Sequence, residues 1–417
     1  VAVTVDRINN LTAQIGEVND NIARYTGTGH DPNDLLDFRE QLIRQLNEQV
    51  QVNTVPGEDG TVNVFMTGGQ LLVLGTQVQT LKAVADPVDP AKTRVALDIN
   101  GSTRILNDDQ ITGGALKGML AFQDQDLANI SGQLDSFVQS FANAVNAQQQ
   151  LGLNIASPGA TPPPLFANTA TASTISMFTL SAADLAAASP MTASAPNTNT
   201  GTAAVTSLTM VSSYAGSGVA GSLPLKVVFD TANADGSIGY HFIDKDGNPY
   251  KDTTPSRVWN SPSDTNTRVI SDADPADPST PALFKVAITG VPRTGDVVDV
   301  ALTQFPASNN GNAMAMLNIR DLNVASLDGG ATTTTATNAY SQLIGDLGVL
   351  VQSGKTAASI STTLKTNADQ TLSSTAGVNL DEEAARLIQY QQAYQASAKV
   401  LQIAQSLFDT LLQTARG

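Results

Sequence analysis

Apolar residues recur every seventh position in several separated stretches of the chain. Ile8, Ile15 and Ile22 form one line and Leu11, Val18 and Tyr25 a second beside it, which predicts an α-helix with one buried stripe ending near Gly27. Asp31-Pro32 then supplies a capping residue followed by proline at the first helical position. Leu35/Leu42 with Leu36, Ile43 and Val50 predict a second helix to about Val52. The period changes to two at Val62, Val64 and Met66, before Gly68-Gly69 and the run Leu71 to Leu74. Asn100-Gly101 between Val95-Ala96-Leu97 and Arg104-Ile105-Leu106 has the chemistry of a hairpin turn. A small strand module over 58–107 is expected. Helical spacing returns at Leu120, Leu127, Leu134 and Phe141, flanked by Leu116, Ile130 and Phe137, and predicts one helix of about 30 residues.

After Leu153 the chain turns to Ala, Ser, Thr, Pro and Gly. Pro162-Pro163-Pro164 can continue neither a helix nor an interior strand, so a domain boundary is expected there. Between 203 and 303, runs such as Leu225–Phe229, Gly239–Ile243 and Val297–Ala301 alternate with turn residues at sandwich-like intervals. Periodicity leaves 167–205 open between strand and ordered loop. Sevens resume at Leu343, Leu350, Ala357 and Leu364, and again at Leu380, Leu387, Tyr394, Leu401 and Phe408. The economical architecture is α+β and multidomain. Residues 1–155 and 311–417 form a discontinuous long-helix bundle or coiled-coil domain that carries the strand module, and 156–310 form an inserted β-rich, sandwich-like outer domain with room for two subdomains.

The last helix has a well-marked start. Asn379 precedes Leu380, Glu382 completes a capping box, and Asp381 and Glu383 suit the positive end of the helix dipole. It runs to about Thr414 without Gly or Pro, roughly 50 Å at 1.5 Å per residue, longer than a compact domain covers. The first three long helices are expected to find partners within the chain. The distal segment 400–417 is assigned to an axial assembly region, partnered by another subunit or by a segment preceding Val1.

Composition narrows the function. The net charge of −16 opposes nucleic acid phosphates and anionic lipid headgroups, so neither is an expected partner. An acidic surface instead favours solubility in a subunit that is exported and assembled elsewhere. Cysteine is absent and His30 and His241 are the only histidines, which removes disulfides, thiolate metal sites and histidine-based triads. No apolar run is long enough to span a membrane, and Val1-Ala2-Val3 lacks the basic start of a signal peptide. No catalytic, cofactor-binding or metal-binding residue is assigned. Asp244–Asn248 partly matches a calcium loop but lacks the downstream glutamate and reads as a turn. Asp272, Asp274 and Asp277 read as solvated loop carboxylates, His30 as an exposed loop residue, His241 as a sheet-surface residue and Trp259 as core.

Three motifs have a familiar order and spacing: Gly377–Glu383, Tyr390-Gln391-Gln392-Ala393-Tyr394-Gln395-Ala396, and Leu407-Phe408-Asp409-Thr410-Leu411-Leu412. Together they resemble the C-terminal signature of flagellar rod, hook and hook-associated proteins. Pro32–Leu42 and Phe141–Gln148 resemble the helical domain of one branch of that family, the first hook–filament junction proteins (hook-associated protein 1). The resemblance covers roughly 1–150 and 310–417. It implies a non-enzymatic structural subunit of the extracellular bacterial flagellum, self-associating in an adaptor ring at the hook–filament junction. Its implied partners are the hook protein, the second hook–filament junction protein and a flagellar export chaperone that holds the C-terminal helix before type III export. The family pattern also opens with a long N-terminal helix that pairs with the C-terminal one. Because no such segment precedes Val1 and the chain starts without Met, a fragment lacking that helix is expected. Leu380, Leu387, Tyr394, Leu401 and Phe408 are the candidate assembly and chaperone interface. The competing class is a secreted adhesin or host-binding protein that uses the β domain, with Tyr240, Phe242, Tyr250 and Trp259 as its nearest cluster of aromatics. A hydrolase in the middle region is nearly excluded.

Overall fold

In the computed structural model, which describes residues 1–26, 32–99, 101–234, 236–251, 257–259, 267–273, 281–377 and 380–416, the first helix α1 (Ala2–Thr26) buries Ile8, Ile15 and Ile22 almost completely. Leu11 and Val18 are buried beside them, while Tyr25 remains half exposed at the helix end. Helix α2 (Asn33–Gln49) lays Leu42 and Leu46 against the same core, with Pro32 at its cap and not inside it, and Val50 closes the turn. The proposed capping residue Asp31 and His30 lie outside the described residues.

The chain turns into strand as soon as α2 ends. β1 (Val52–Pro56), β2 (Val62–Met66), β3 (Leu71–Leu74) and β4 (Gln77–Val78) form an antiparallel meander, so the first strand begins ahead of the expected 58. β5 (Thr80–Ala85), β6 (Thr93–Ile99) and β7 (Ser102–Ile105) form a second, three-stranded antiparallel sheet. Val64, Met66, Leu72, Val73, Leu81, Val95 and Leu97 alternate into one core shared with α1 and α2. The β6–β7 turn includes Asn100, which lies outside the described residues; Gly101 beside it has a φ of +84°, a conformation that favours glycine.

Polar side chains pin the helices onto these sheets. Asn9 donates to the Leu81 carbonyl at 2.8 Å and accepts from the Leu81 N–H at 2.9 Å, pairing with β5 as a neighbouring strand would. Asn19, fully buried, donates to the carbonyls of Val62 and Gly75 at 2.8 and 2.7 Å. Its oxygen accepts from Arg39 of α2 at 3.1 Å, and Arg39 also donates to the Gly60 carbonyl. Burial pulls the Arg39 guanidinium below its ordinary pKa. With both partners satisfied, this buried network fixes how α1, α2 and the meander fit together.

The helix expected over 114–150 is interrupted. α3 (Gly114–Ala121) and α4 (Leu127–Leu151) are joined by a π-helical turn at Phe122–Asp126. The turn re-aims Asp124 at Arg94 of β6 (2.8 Å), and Arg94 also holds Asp86 at 2.6 Å and Asp108 at 3.2 Å. The inserted residue also shifts the seam. Leu116 and Leu120 before the turn are buried, Leu127 after it is exposed, and Leu134, Phe137 and Phe141 are half-buried.

The open stretch after Leu153 is ordered coil up to β8 (Met191–Ser194), clamped by amides at the end of α4. Asn146 accepts from the N–H groups of Leu165 and Phe166 at 2.8 and 3.0 Å and donates to the Phe166 carbonyl. Gln149 donates to the Asp184 carbonyl at 2.9 Å. Gly152 passes so close to Ala186 that a Cβ there would lie 2.4 Å from its carbonyl oxygen. β9 (Ala204–Met210), β10 (Leu225–Ala232), β11 (Ile238–Ile243), β12 (Arg257–Trp259), β13 (Arg268–Ser271), β14 (Phe284–Thr289) and β15 (Val297–Leu302) complete two sheets of order β12-β11-β10-β15-β8 and β13-β14-β9. Leu225, Val227 and Phe229 from one sheet and Phe284, Val286 and Ile288 from the other alternate into a single sandwich core.

Asp272 corrects the sequence reading: it is a fully buried carboxylate and not a solvated one. It accepts from the N–H groups of Leu283 and Phe284 at 2.7 and 3.1 Å and pairs with Lys251 at 3.0 Å. Asp274 and Asp277 lie outside the described residues.

Helix α5 (Gly311–Asn318) packs on α4, and α6 (Ala336–Ala376) begins with Ala339 and Leu343 buried. The chain divides into two compact units, Val1–Gly345 and Asp346–Gly417. The second holds the rest of α6 and α7 (Leu380–Arg416).

Two predictions follow from these carboxylates. Hydrogen bonds from Arg94 and from the Val88 and Asp89 N–H groups lower Asp86 from 3.8 to about 2. Its contribution to stability is therefore complete above the unfolded pKa and is lost as pH falls from about 4 towards 2. Thermal unfolding followed over that window will show a steeper acid loss for the native chain than for Asp86→Asn. Replacing Asp272 with Ala strands two buried N–H groups and will cost about 3 kcal/mol. Urea unfolding read through the fluorescence of Trp259, the single tryptophan, measures that loss in the sandwich itself.

Candidate assembly surface

Helix α7 is built to be helical without help. It contains neither Gly nor Pro, is rich in Ala, Gln and Leu, and opens with Asp381, Glu382 and Glu383 in its first turn. Arg386 reaches back to Glu382 at 3.4 Å and Glu383 at 3.2 Å, surface pairs that add only tenths of a kcal/mol. Its 37 residues extend about 55 Å. The capping residue Asn379 and the side chain of Leu380 lie outside the described residues.

The other four candidate residues share one face and are all in the open. Leu387 is 70% exposed, Tyr394 77%, Leu401 63% and Phe408 63%. Spaced by sevens, they rise about 10 Å per step and drift about 20° around a straight helix, the geometry a left-handed supercoil absorbs. Exposure is not confined to the distal segment 400–417. Every described side chain from Val351 to Leu412 is exposed, including Ala357 and Leu364 of the α6 seam.

A second stripe escaped the sequence reading. Val400, Ile403, Leu407 and Leu411 are also exposed and recur at i, i+3, i+7 and i+11, about a third of a turn from the Leu401/Phe408 face. The search for exact sevens hid them, although i, i+3 spacing could have revealed them. The distal half of α7 thus offers two apolar faces, and covering each large side chain is worth roughly 1.5–3 kcal/mol. Charge does not oppose such contacts. Residues 346–417 hold six acidic and five basic side chains, so nearly all of the −16 lies in the first unit.

Chemistry finds no comparable arrangement. Among the described residues no group of three or more His, Asp or Glu is disposed to hold a metal, and no helix is long and apolar enough to cross a membrane. Asp244 accepts the N–H groups of Asp246 and Asn248 at 2.9 and 2.8 Å, closing a turn with Gly247 at φ +83°. The His241 Nδ1 faces Asp230 at 2.8 Å on the sheet surface. Trp259, Tyr240 and Phe242 are buried in the sandwich, with Phe229 edge-on to Trp259 at 5.8 Å. Burial, aided by the Asp272 charge, pushes the half-buried Tyr250 hydroxyl up to about 12. The aromatic cluster that a glycan-binding surface would need is therefore spent on the core.

A clamped helical and strand module, a β sandwich, and long helices with exposed apolar stripes define a structural assembly protein. The comparisons agree. The model for the flagellar hook-associated protein FlgK helical domain matches residues 1–166, and that for the flagellar basal body rod FlgEFG protein C-terminal region matches 369–414. Flagellar hook-associated protein 1 of Salmonella typhimurium is 30% identical over 436 aligned positions, covering 99% of this chain and 70% of that protein. The Escherichia coli protein of the same name is 27% identical over 425, with the same coverage. The solved flagellar hook junction protein FlgK from Burkholderia pseudomallei shares the fold, with a TM-score of 0.62 and 23% identity over 89% of this chain and 83% of that one. The chain belongs to the flagellar hook-associated protein 1 family. It is accordingly a non-enzymatic, extracellular component of the bacterial flagellum.

Proposed function

We propose that this chain is the adaptor at the hook–filament junction and that it assembles there through the apolar faces of its terminal helices, chiefly Leu387, Tyr394, Leu401 and Phe408, with Leu380 beginning the line. The observation that carries this reading is the exposure of all four described residues of the seam along one face of α7. Left wet, four such side chains forgo several kcal/mol, which helix packing between neighbours in a ring recovers. The hook protein on one side and the second hook–filament junction protein on the other are the neighbours that family membership suggests. The same face explains the need for an export chaperone. An unpartnered, low-charge amphipathic helix in the cytoplasm would self-associate early, and a partner that masks it until type III export prevents this. We assign 1–155 and 311–417 to the helical part of the subunit, with the end of α7 in the axial assembly region, and 156–310 to the outward β domain.

Leu401→Glu tests this directly. Because Leu401 is exposed, the variant will keep the native melting temperature while losing self-association, chaperone binding and filament attachment. Swimming at the native rate by cells carrying Leu401→Glu would overturn the proposal.

A further inference from the structure

The first unit carries an apolar groove that no element fills. It has a volume of about 480 Å³ and is lined by Phe141 and Val145 of α4, Met316 and Leu317 of α5, Ile319 and Ala336. Leu317 is 67% exposed. Tyr340 and Ile344 lie one and two turns beyond Ala336 on the same side of α6, both exposed, and they extend the strip by about 12 Å.

The charge pattern of this strip is unusual for so acidic a chain. Residues 136–183, 300–319 and 329–345, which supply all of these side chains, contain no Asp, Glu, Lys or Arg. At the rim Arg320 and Asp321 neutralise each other at 3.1 Å. Two copies of a chain this acidic repel one another over most of their first units, and they approach at least cost where one side presents no charge. A groove between helices, apolar and uncharged, fits the apolar face of another helix. α7 offers such a face to spare, since its Val400/Ile403/Leu407/Leu411 stripe is not needed for the heptad seam.

We infer that the groove between α4, α5 and the start of α6 receives the Val400/Ile403/Leu407/Leu411 face of α7 from a second copy of the chain. The inference rests on the assembly reading above and adds the receiving surface on the neighbour. The contact is heterologous, groove to helix, and repeats from copy to copy; such contacts close into rings or continue into helical arrays.

Because the chain has no cysteine, two single-cysteine variants of the full chain can be mixed and every cross-link assigned. Leu317→Cys and Ile403→Cys, mixed at concentrations where the native chain self-associates and treated with a short bis-maleimide, will give the mixed dimer as the main product. Leu317→Glu, at an exposed position, will keep the native melting temperature and weaken self-association. Two results would each overturn the groove while leaving the Leu401 seam intact: only Ile403–Ile403 or Leu317–Leu317 positions linking, or unchanged association of Leu317→Glu. A native chain that stays monomeric at every concentration would remove the assembly reading, and the groove with it.

Discussion

A helix whose apolar residues recur every seventh position requires a partner along its length, and α7 meets that requirement with side chains that stay in solvent. Three properties follow from this one constraint. The helix must be strong by intrinsic propensity, which its Ala, Gln and Leu content and acidic first turn provide. It must carry little charge on its sticky faces, as the near balance of acidic and basic residues in 346–417 ensures. The rest of the subunit must be rigid enough to hold a neighbour in register.

Rigidity in the first unit comes less from the apolar stripes than from buried amides placed among them. Asn9 and Asn19 bond to strand backbones, Asn146 and Gln149 bond to the coil after α4, and each sits where an aliphatic side chain would only add grease. Directional bonds of this kind choose one packing among many that hydrophobic burial alone would allow. They also explain how a coil of some thirty residues without regular structure stays ordered: its backbone groups are answered by side chains of a helix.

The sandwich follows the same division between grease and directed polar contacts. Alternation places Phe229, Phe242 and Phe284 inside, and the edge-to-face rings fill the space between the sheets. Asp272 and Asp296 then tie loops to strand ends. Burial alone would raise Asp296, yet the N–H groups of Arg293, Thr200 and Gly201 hold it below its ordinary value. These carboxylates are structural, and their surroundings leave no room for the catalytic or metal roles that isolated acidic residues can suggest.

The sequence by itself determined what repetition can encode. Burial of Ile8, Ile15 and Ile22, the alternating strands, the sandwich with its core Trp259, and the seam through Leu387 to Phe408 were all legible because each is periodic, and period follows from helix and strand geometry. The tertiary structure decided what depends on residues far apart in the chain. The π turn at Phe122–Asp126 serves Arg94 across a sheet, Asp272 is buried by strands that arrive later in the chain, and the groove needs α4 beside α5 and α6. The spare stripe of α7 lies between these cases, since its spacing was present in the sequence and only exposure showed it to be unpartnered. Local pattern states which face of an element is apolar, whereas what covers that face is a contact between distant segments, and no single stretch of residues records it.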